Sequence, residues 1–269
     1  MAAAVAAPSR EAVLDRIGGA LWGLYIGDAL AMPTHWFYGG ERQIRGTYGQ
    51  ITGYVKPVEQ LPGSIMNLSS TGGGGRGSDS GEIIGKVINH GKKKYWTARG
   101  SYHYHCTLDA GENTLEAQLV RLVCRSITET GGRFSQAHVR KNYIDFMTTP
   151  GTHNDCYAST CHRMFFANMV QGVPPEKCPD NDGHNVDTID GIAMTVPVTL
   201  ATALKEPLHQ VQTQAASCAD VTRQSRPLQK YVGQYAELLC KVLGGDGLSN
   251  LLGDSIIQSS ARRPDPVVA

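Results

Sequence analysis

The residues most able to do chemistry lie in the segment Gly23-Leu-Tyr-Ile-Gly27-Asp28-Ala-Leu-Ala-Met-Pro33. Asp28 is expected at the C-terminal end of a helix, against the negative pole of the helix dipole, where a carboxylate is disfavoured without compensation. A metal ion, an arginine or a polar ligand near Asp28 is implied; the plainer alternative makes it a hydrogen-bonding residue at the helix end. Thr152-His153-Asn154-Asp155 leads towards Tyr157, His162, Arg163, Phe165 and Phe166. That mix could stack on adenine and hold a pyrophosphate at a helix N-terminus, although core packing is the commoner use of such aromatics. Tyr102-His103-Tyr104-His105-Cys106 and Cys156-x4-Cys161-His162 contain soft ligands suited to zinc. Neither holds a Cys-x2-Cys pair or finger-like spacing, so buried thiols and hydrogen-bonded histidines are the competing reading.

These groups must be positioned by helices. Val13, Ile17, Ala20, Leu21, Leu24, Ala29 and Leu30 recur at helical spacing, and Pro33 stops the run. Gly18, Gly19, Gly23 and Gly27 thin one side, which predicts a buried central helix against which another backbone packs closely. From Trp36 to Gly81 the chain is rich in Gly, Pro, Ser and aromatic residues and reads as one long loop. Further helices are expected at about 81–91, 110–130, 135–147, 155–171, 188–204, 207–225, 227–244 and 246–260, with stops such as Gly131-Gly132 and Pro174-Pro175. Period-2 strand patterns are nearly absent. The expectation is an all-α, single multi-helix domain over 10–269, preceded by a disordered N-terminus at 1–9.

Composition narrows the function classes. Lys plus Arg at 25 nearly balances Asp plus Glu at 24 over 269 residues, so no net field draws the surface onto nucleic acid or an anionic membrane. No run approaches the roughly 20 apolar residues of a membrane span, and the first residues lack a secretory pattern. Seven scattered cysteines read as reduced thiols, and a soluble cytoplasmic or other intracellular location is expected. Phosphate-loop, dinucleotide and nucleophile-elbow motifs do not occur in a strand-turn-helix context.

The Gly27-Asp28-Ala29-Leu30-Ala31-Met32-Pro33 segment resembles the first-helix motif of the ADP-ribosylglycohydrolase superfamily. Asn89–Trp96, Gly111–Leu119, Phe146–Gly151, His162–Asn168 and His184–Asp187 are similar to its J-crystallin and selenoprotein J branch. The resemblance implies an all-helical fold that hydrolyses the glycosidic bond at ribose C1 of ADP-ribosylated proteins or small molecules with two magnesium ions. Magnesium takes hard oxygen ligands in octahedral geometry. The family's second motif falls on Gly111, Glu112, Asn113 and Thr114, which makes Asp28, Glu112 and Thr114 the implied metal ligands and Asp28 and Glu112 the implied catalytic residues. Asn113 is neutral and Gly111 has no side chain there.

His35 stands where the family has a glutamate, and imidazole is a poor magnesium ligand. His35, Asn113, Asp190, Gly191, His153 and Asn154 are the implied substrate contacts, with Gly191 letting the chain approach the ligand. Thr195 replaces a family arginine, so one expected cation is missing. The family's last metal-binding motif does not occur in these residues, which predicts a domain lacking its last helices, weak or absent dinuclear metal binding and weak catalysis. The alternative is a non-catalytic binder of ADP-ribose-like ligands or a crystallin-like structural protein on the same fold.

Overall fold

The computed structural model describes residues 8–66, 83–96, 100–181, 186–247 and 251. These residues form an all-helical domain without a β-strand; pairing is limited to isolated bridges such as Gln60 with Tyr102 and Asp180 with Arg223. The expected class is therefore the observed one. In chain order the α-helices are α1 (Arg10–Ala31), α2 (Gly40–Tyr48), α3 (Leu115–Glu129), α4 (Gln136–Thr148), α5 (Thr160–Val170), α6 (Asp190–Ala193), α7 (Val196–Thr202), α8 (Leu208–Ala219) and α9 (Arg226–Gly244).

Local chemistry explains most boundaries. Ser9 caps α1 by accepting from the amide of Ala12, Ser135 caps α4 through the amide of His138, and Ser225 caps α9 through that of Leu228. Gly245, at a φ of 111°, closes α9. Pro197 in the first turn of α7 separates it from α6, so the helix expected over 188–204 is two short ones. The apolar stripe of α3, including Leu115, Leu119, Val123 and Ile127, meets Val139, Tyr143 and Met147 of α4 and Phe165 and Phe166 of α5 in the main core. Each such side chain contributes about 1.5–3 kcal/mol when fully buried.

Three expectations change. The 81–91 segment is not an α-helix over its described part: Ile84 is extended, Gly85 takes a φ of 94°, and a tight turn closes through Gly85 N–H to Ile88 O at 2.7 Å. The 36–81 loop contains α2; its glycine run lies outside the described residues, as does nearly all of 246–260. Helix α1 is not a buried central helix. Ala29 is its one buried residue, Trp22 is 69 % exposed, and an added Cβ at Gly18, Gly19, Gly23 or Gly27 would meet nothing within 4 Å. Its apolar residues are spread around the whole circumference. Ile17, Ala20, Leu21 and Leu24 pack on α7 and α9, whereas Leu14, Trp22, Ile26 and Leu30 face outwards.

Candidate active site

The first turn of α3 is where the chemistry converges. Its amides point outwards with no intrahelical partner, and they carry the positive end of the helix dipole. Two carboxylates from distant parts of the chain meet two successive amides. Asp28 Oδ2 accepts from Thr114 N–H at 2.8 Å, and Asp155 Oδ2 accepts from Leu115 N–H at 2.9 Å. Asp28 also accepts from the Thr114 hydroxyl at 2.6 Å and the Asn113 amide at 2.9 Å, while Asn113 donates to the Tyr25 carbonyl at 2.8 Å. The compensation that Asp28 requires at the end of α1 thus comes from the N-terminus of α3. Asn113 at the same time satisfies a carbonyl at the C-terminus of α1.

Behind this junction runs a buried chain of polar side chains. Asp155, 1 % exposed, receives His105 Nδ1 at 2.9 and 3.0 Å and the Tyr157 amide at 3.1 Å. His105 Nε2 lies 2.7 Å from His35 Nδ1, with the two rings stacked at 4.8 Å. With both rings neutral, these bonds allow one set of tautomers. His105 donates from Nδ1 to the carboxylate, so its Nε2 accepts from His35 Nδ1–H, and His35 Nε2 is left as an acceptor. Among the described residues it has no hydrogen-bond partner, and the His35 ring is only partly buried. His103 is set the same way, accepting from the His105 amide at Nδ1 and donating from Nε2 to the Pro33 carbonyl at 3.1 Å.

Burial and neighbouring His105 push the pKa of His35 down to about 3 and that of His103 down to about 4. Burial works to raise the Asp155 carboxyl, yet His105 and the amides of Leu115 and Tyr157 outweigh it and hold it below the ordinary value. Trp36, Tyr104 and Tyr157 surround His35 with ring centroids 4.7, 5.4 and 5.9 Å away. His35 is therefore a neutral acceptor held in a rigid aromatic setting.

A second polar chain adjoins the first. His162 Nδ1 lies 2.8 Å from the Tyr143 hydroxyl, and its Nε2 lies 3.1 and 3.2 Å from the Glu116 carboxylate, which also accepts from Ser159. Burial disfavours charge on His162, but Cys161, Tyr143 and Glu116 raise its affinity for a proton well above the ordinary level. Asp190 pairs with the fully buried Arg223 at 2.7 Å. Arg223 comes from the turn before α9. Thr195 is itself buried and donates to the Ile192 carbonyl at 2.8 Å.

The remaining expected residues divide. Glu112 does not share a ligand with Asp28: its carboxylate accepts from the Asp109 amide at 2.6 Å, in a local turn. At Gly191 the backbone packs closely, since an added Cβ would lie 2.7 Å from Leu228 Cδ2 and 3.3 Å from Arg223 Nη1. His153 stacks on Phe146 at 5.7 Å with a buried, unpaired Nδ1, and Asn154 accepts from Lys92 at 2.9 Å on the surface. Of the His184–Asp187 stretch, residues 184 and 185 lie outside the described residues. Sequence reading named His105 only as a possible zinc ligand and Asp155 only as a helix lead-in, and it missed their pairing, Glu116 and Arg223. The alternating Tyr102-His103-Tyr104-His105 pattern was the available signal for His105. A cleft of about 370 Å³ between α3 and α4, lined by Arg121, Arg125, Asn142 and Phe146, does not include Asp28 or His35.

Class and family follow from this arrangement. The molecule is a helical protein with acidic and imidazole groups gathered at the N-terminus of one buried helix, reached by a Gly-Asp helix end. The ADP-ribosylglycohydrolase family model matches residues 9–264, and the chain belongs to that family. No curated protein and no solved structure matches it.

The family is metal-dependent. Asp28 accepts three hydrogen bonds, two at Oδ2 and one at Oδ1, and Glu112 turns away to the Asp109 amide, so the two carboxylates do not converge on one ion. Among the described residues the group with three converging metal-ligand atoms is Cys161, His162 and Asp190, all within 4.8 Å. Both nitrogens of His162 are already hydrogen-bonded and Asp190 is ion-paired, so an ion there would have to displace these partners. Neither set fits a pair of magnesium ions with hard oxygen ligands.

Proposed function

We propose that this chain is an ADP-ribosylglycohydrolase-like protein that cleaves the glycosidic bond at ribose C1 of an ADP-ribosylated small molecule or protein, or derives from enzymes that do. The observation that carries the reading is the Asp155–His105–His35 chain, anchored through Asp155 at the start of α3, where Asp28 also docks. The bond between C1 and its leaving atom breaks as water adds at C1, through a transition state with positive charge on the ribose. His35 Nε2 accepts a hydrogen bond from that water or from a ribose hydroxyl and orients it. With its proton affinity lowered by burial, it orients rather than strongly deprotonates. His105 and Asp155 hold the imidazole in the required tautomer. No step is assigned to magnesium, and a J-crystallin-like branch and an intracellular compartment, consistent with seven free thiols, complete the proposal.

A second reading is favoured by the separation of Asp28, held by Thr114 and Asn113, from Glu112, held by the Asp109 amide: a non-catalytic binder of ADP-ribose-like ligands or a crystallin-like structural protein. The two are separated by assaying release of ADP-ribose from ADP-ribosylated arginine and serine substrates, alongside calorimetric titration of ADP-ribose with and without magnesium. Turnover that falls about 100-fold or more in His35→Ala, with helicity retained, supports the enzyme. Binding without turnover leaves the binder, and neither leaves the structural protein.

A further inference from the structure

We infer that Cys106 and Cys156 form an oxidisable dithiol, a modification site that closes to a disulfide on exposure to a peroxide. Their sulfurs lie 3.7 Å apart although the residues are 50 positions apart in the chain. The two segments that carry them are joined beside the thiols by His105 to Asp155 and by Thr107 to Asn154, and Trp96 anchors the Cys156 backbone. Thr107 Oγ1 donates to the Asn154 carbonyl at 2.6 Å, Asn154 Nδ2 donates to the Thr107 carbonyl, and Trp96 Nε1 donates to the Cys156 carbonyl at 2.8 Å. The sulfurs must close to about 2.05 Å, a movement that side-chain rotation at a half-buried residue can supply. The other five thiols have no sulfur neighbour among the described residues.

The pair is asymmetric in the sense that oxidation needs. Cys106 is half-buried, and the hydrogen bond from Cys156 favours its thiolate over the burial that opposes it. Cys156 is fully buried, and burial pushes its thiol up, while its Sγ–H has the Tyr104 carbonyl at 3.1 Å as a second acceptor. The Cys106 thiolate attacks one peroxide oxygen, giving a sulfenic acid and hydroxide. Cys156 then attacks the Cys106 sulfur, forming the S–S bond and expelling water. In total two thiols and one hydrogen peroxide give one disulfide and two waters. The link joins the residues that directly follow His105 and Asp155, so it tethers the two halves of that hydrogen-bonded pair. The inference does not depend on the proposed activity.

The test is to treat the full chain with hydrogen peroxide under native conditions, alkylate the remaining thiols and map the peptides by mass spectrometry without reduction. The expected result is a Cys106–Cys156 linked peptide, loss of two alkylatable thiols and recovery of both with dithiothreitol. In Cys156→Ser a sulfenic acid trapped by dimedone should accumulate at Cys106, and in Cys106→Ser the link should vanish with Cys156 left reduced. The oxidised wild type should also melt at a higher temperature than the reduced form, because the link closes a long loop in the unfolded chain. Two thiols that stay alkylatable in the folded, peroxide-treated wild type, or a link between a different pair, would overturn the inference. The wild-type measurement stands even if one variant fails to fold.

Discussion

At the scale of single residues, Asp155 does more than its position in a His-Asn-Asp run suggests. Its carboxylate orients His105, satisfies the Leu115 amide at the start of α3 and turns the chain through the Tyr157 amide. Asp155→Asn keeps the volume but presents an NH₂ group to donors, and should cost about 3 kcal/mol in urea denaturation at neutral pH. The acid dependence has a definite sign. The Asp155 carboxyl is more acidic in the folded chain than its ordinary 3.8, so its contribution is present above that value and is lost as pH falls below it. His35 is held neutral down to about 3, whereas an unfolded histidine takes a proton near 6.5. The unfolded state therefore binds more protons between these limits, and stability falls on acidification from 6.5 towards 3. His35→Gln should flatten the dependence of the melting temperature on pH in that window; an unchanged slope would show that His35 is not held neutral in the folded chain.

Among the elements, α3 is the organiser. Asp28 and Asp155 occupy the place that a capping side chain would otherwise take, since Thr114 turns its own hydroxyl towards Asp28. Asp28→Ala should remove about 2 kcal/mol of stability by leaving the Thr114 amide and hydroxyl and the Asn113 amide without their acceptor. Trp22→Ala, on the outward face of the same α1, should change stability by no more than about 0.5 kcal/mol, which makes it the matched control. Millimolar magnesium should leave the melting temperature of the wild type in place. A magnesium-induced rise that disappears in Asp28→Ala would restore the ligand role to this carboxylate.

For the molecule as a whole, the Asp190–Arg223 pair ties α6 to the turn that leads into α9, deep in the structure. Removing one partner leaves a buried charge without compensation. Arg223→Met alone should cost about 3–5 kcal/mol, and the double variant Asp190→Asn with Arg223→Met should recover part of that loss. Chemical denaturation of the four members of this cycle measures the coupling, and strict additivity would show that the pair is energetically idle. The arginine reaches the space beside Gly191, where a side chain on residue 191 would collide with it and with Leu228.

Helical class, most of the helix ends and the Asp28 and Glu112–Thr114 neighbourhoods were legible in the sequence. Periodicity, serine caps, proline and glycine act over a few residues, and motif residues carry their own chemistry. Tertiary structure alone decided what those neighbourhoods do. Sequence reading asked for a cation near Asp28; the fold answers with the N-terminus of α3, 86 residues away. It expected α1 to be buried, but glycine and leucine spacing on one helix cannot report which of its sides has a neighbour. The His105–Asp155, Asp190–Arg223 and Cys106–Cys156 pairings escaped notice because each joins residues tens of positions apart. Such pairings are made by the packing of helices, and no local pattern in the chain encodes them.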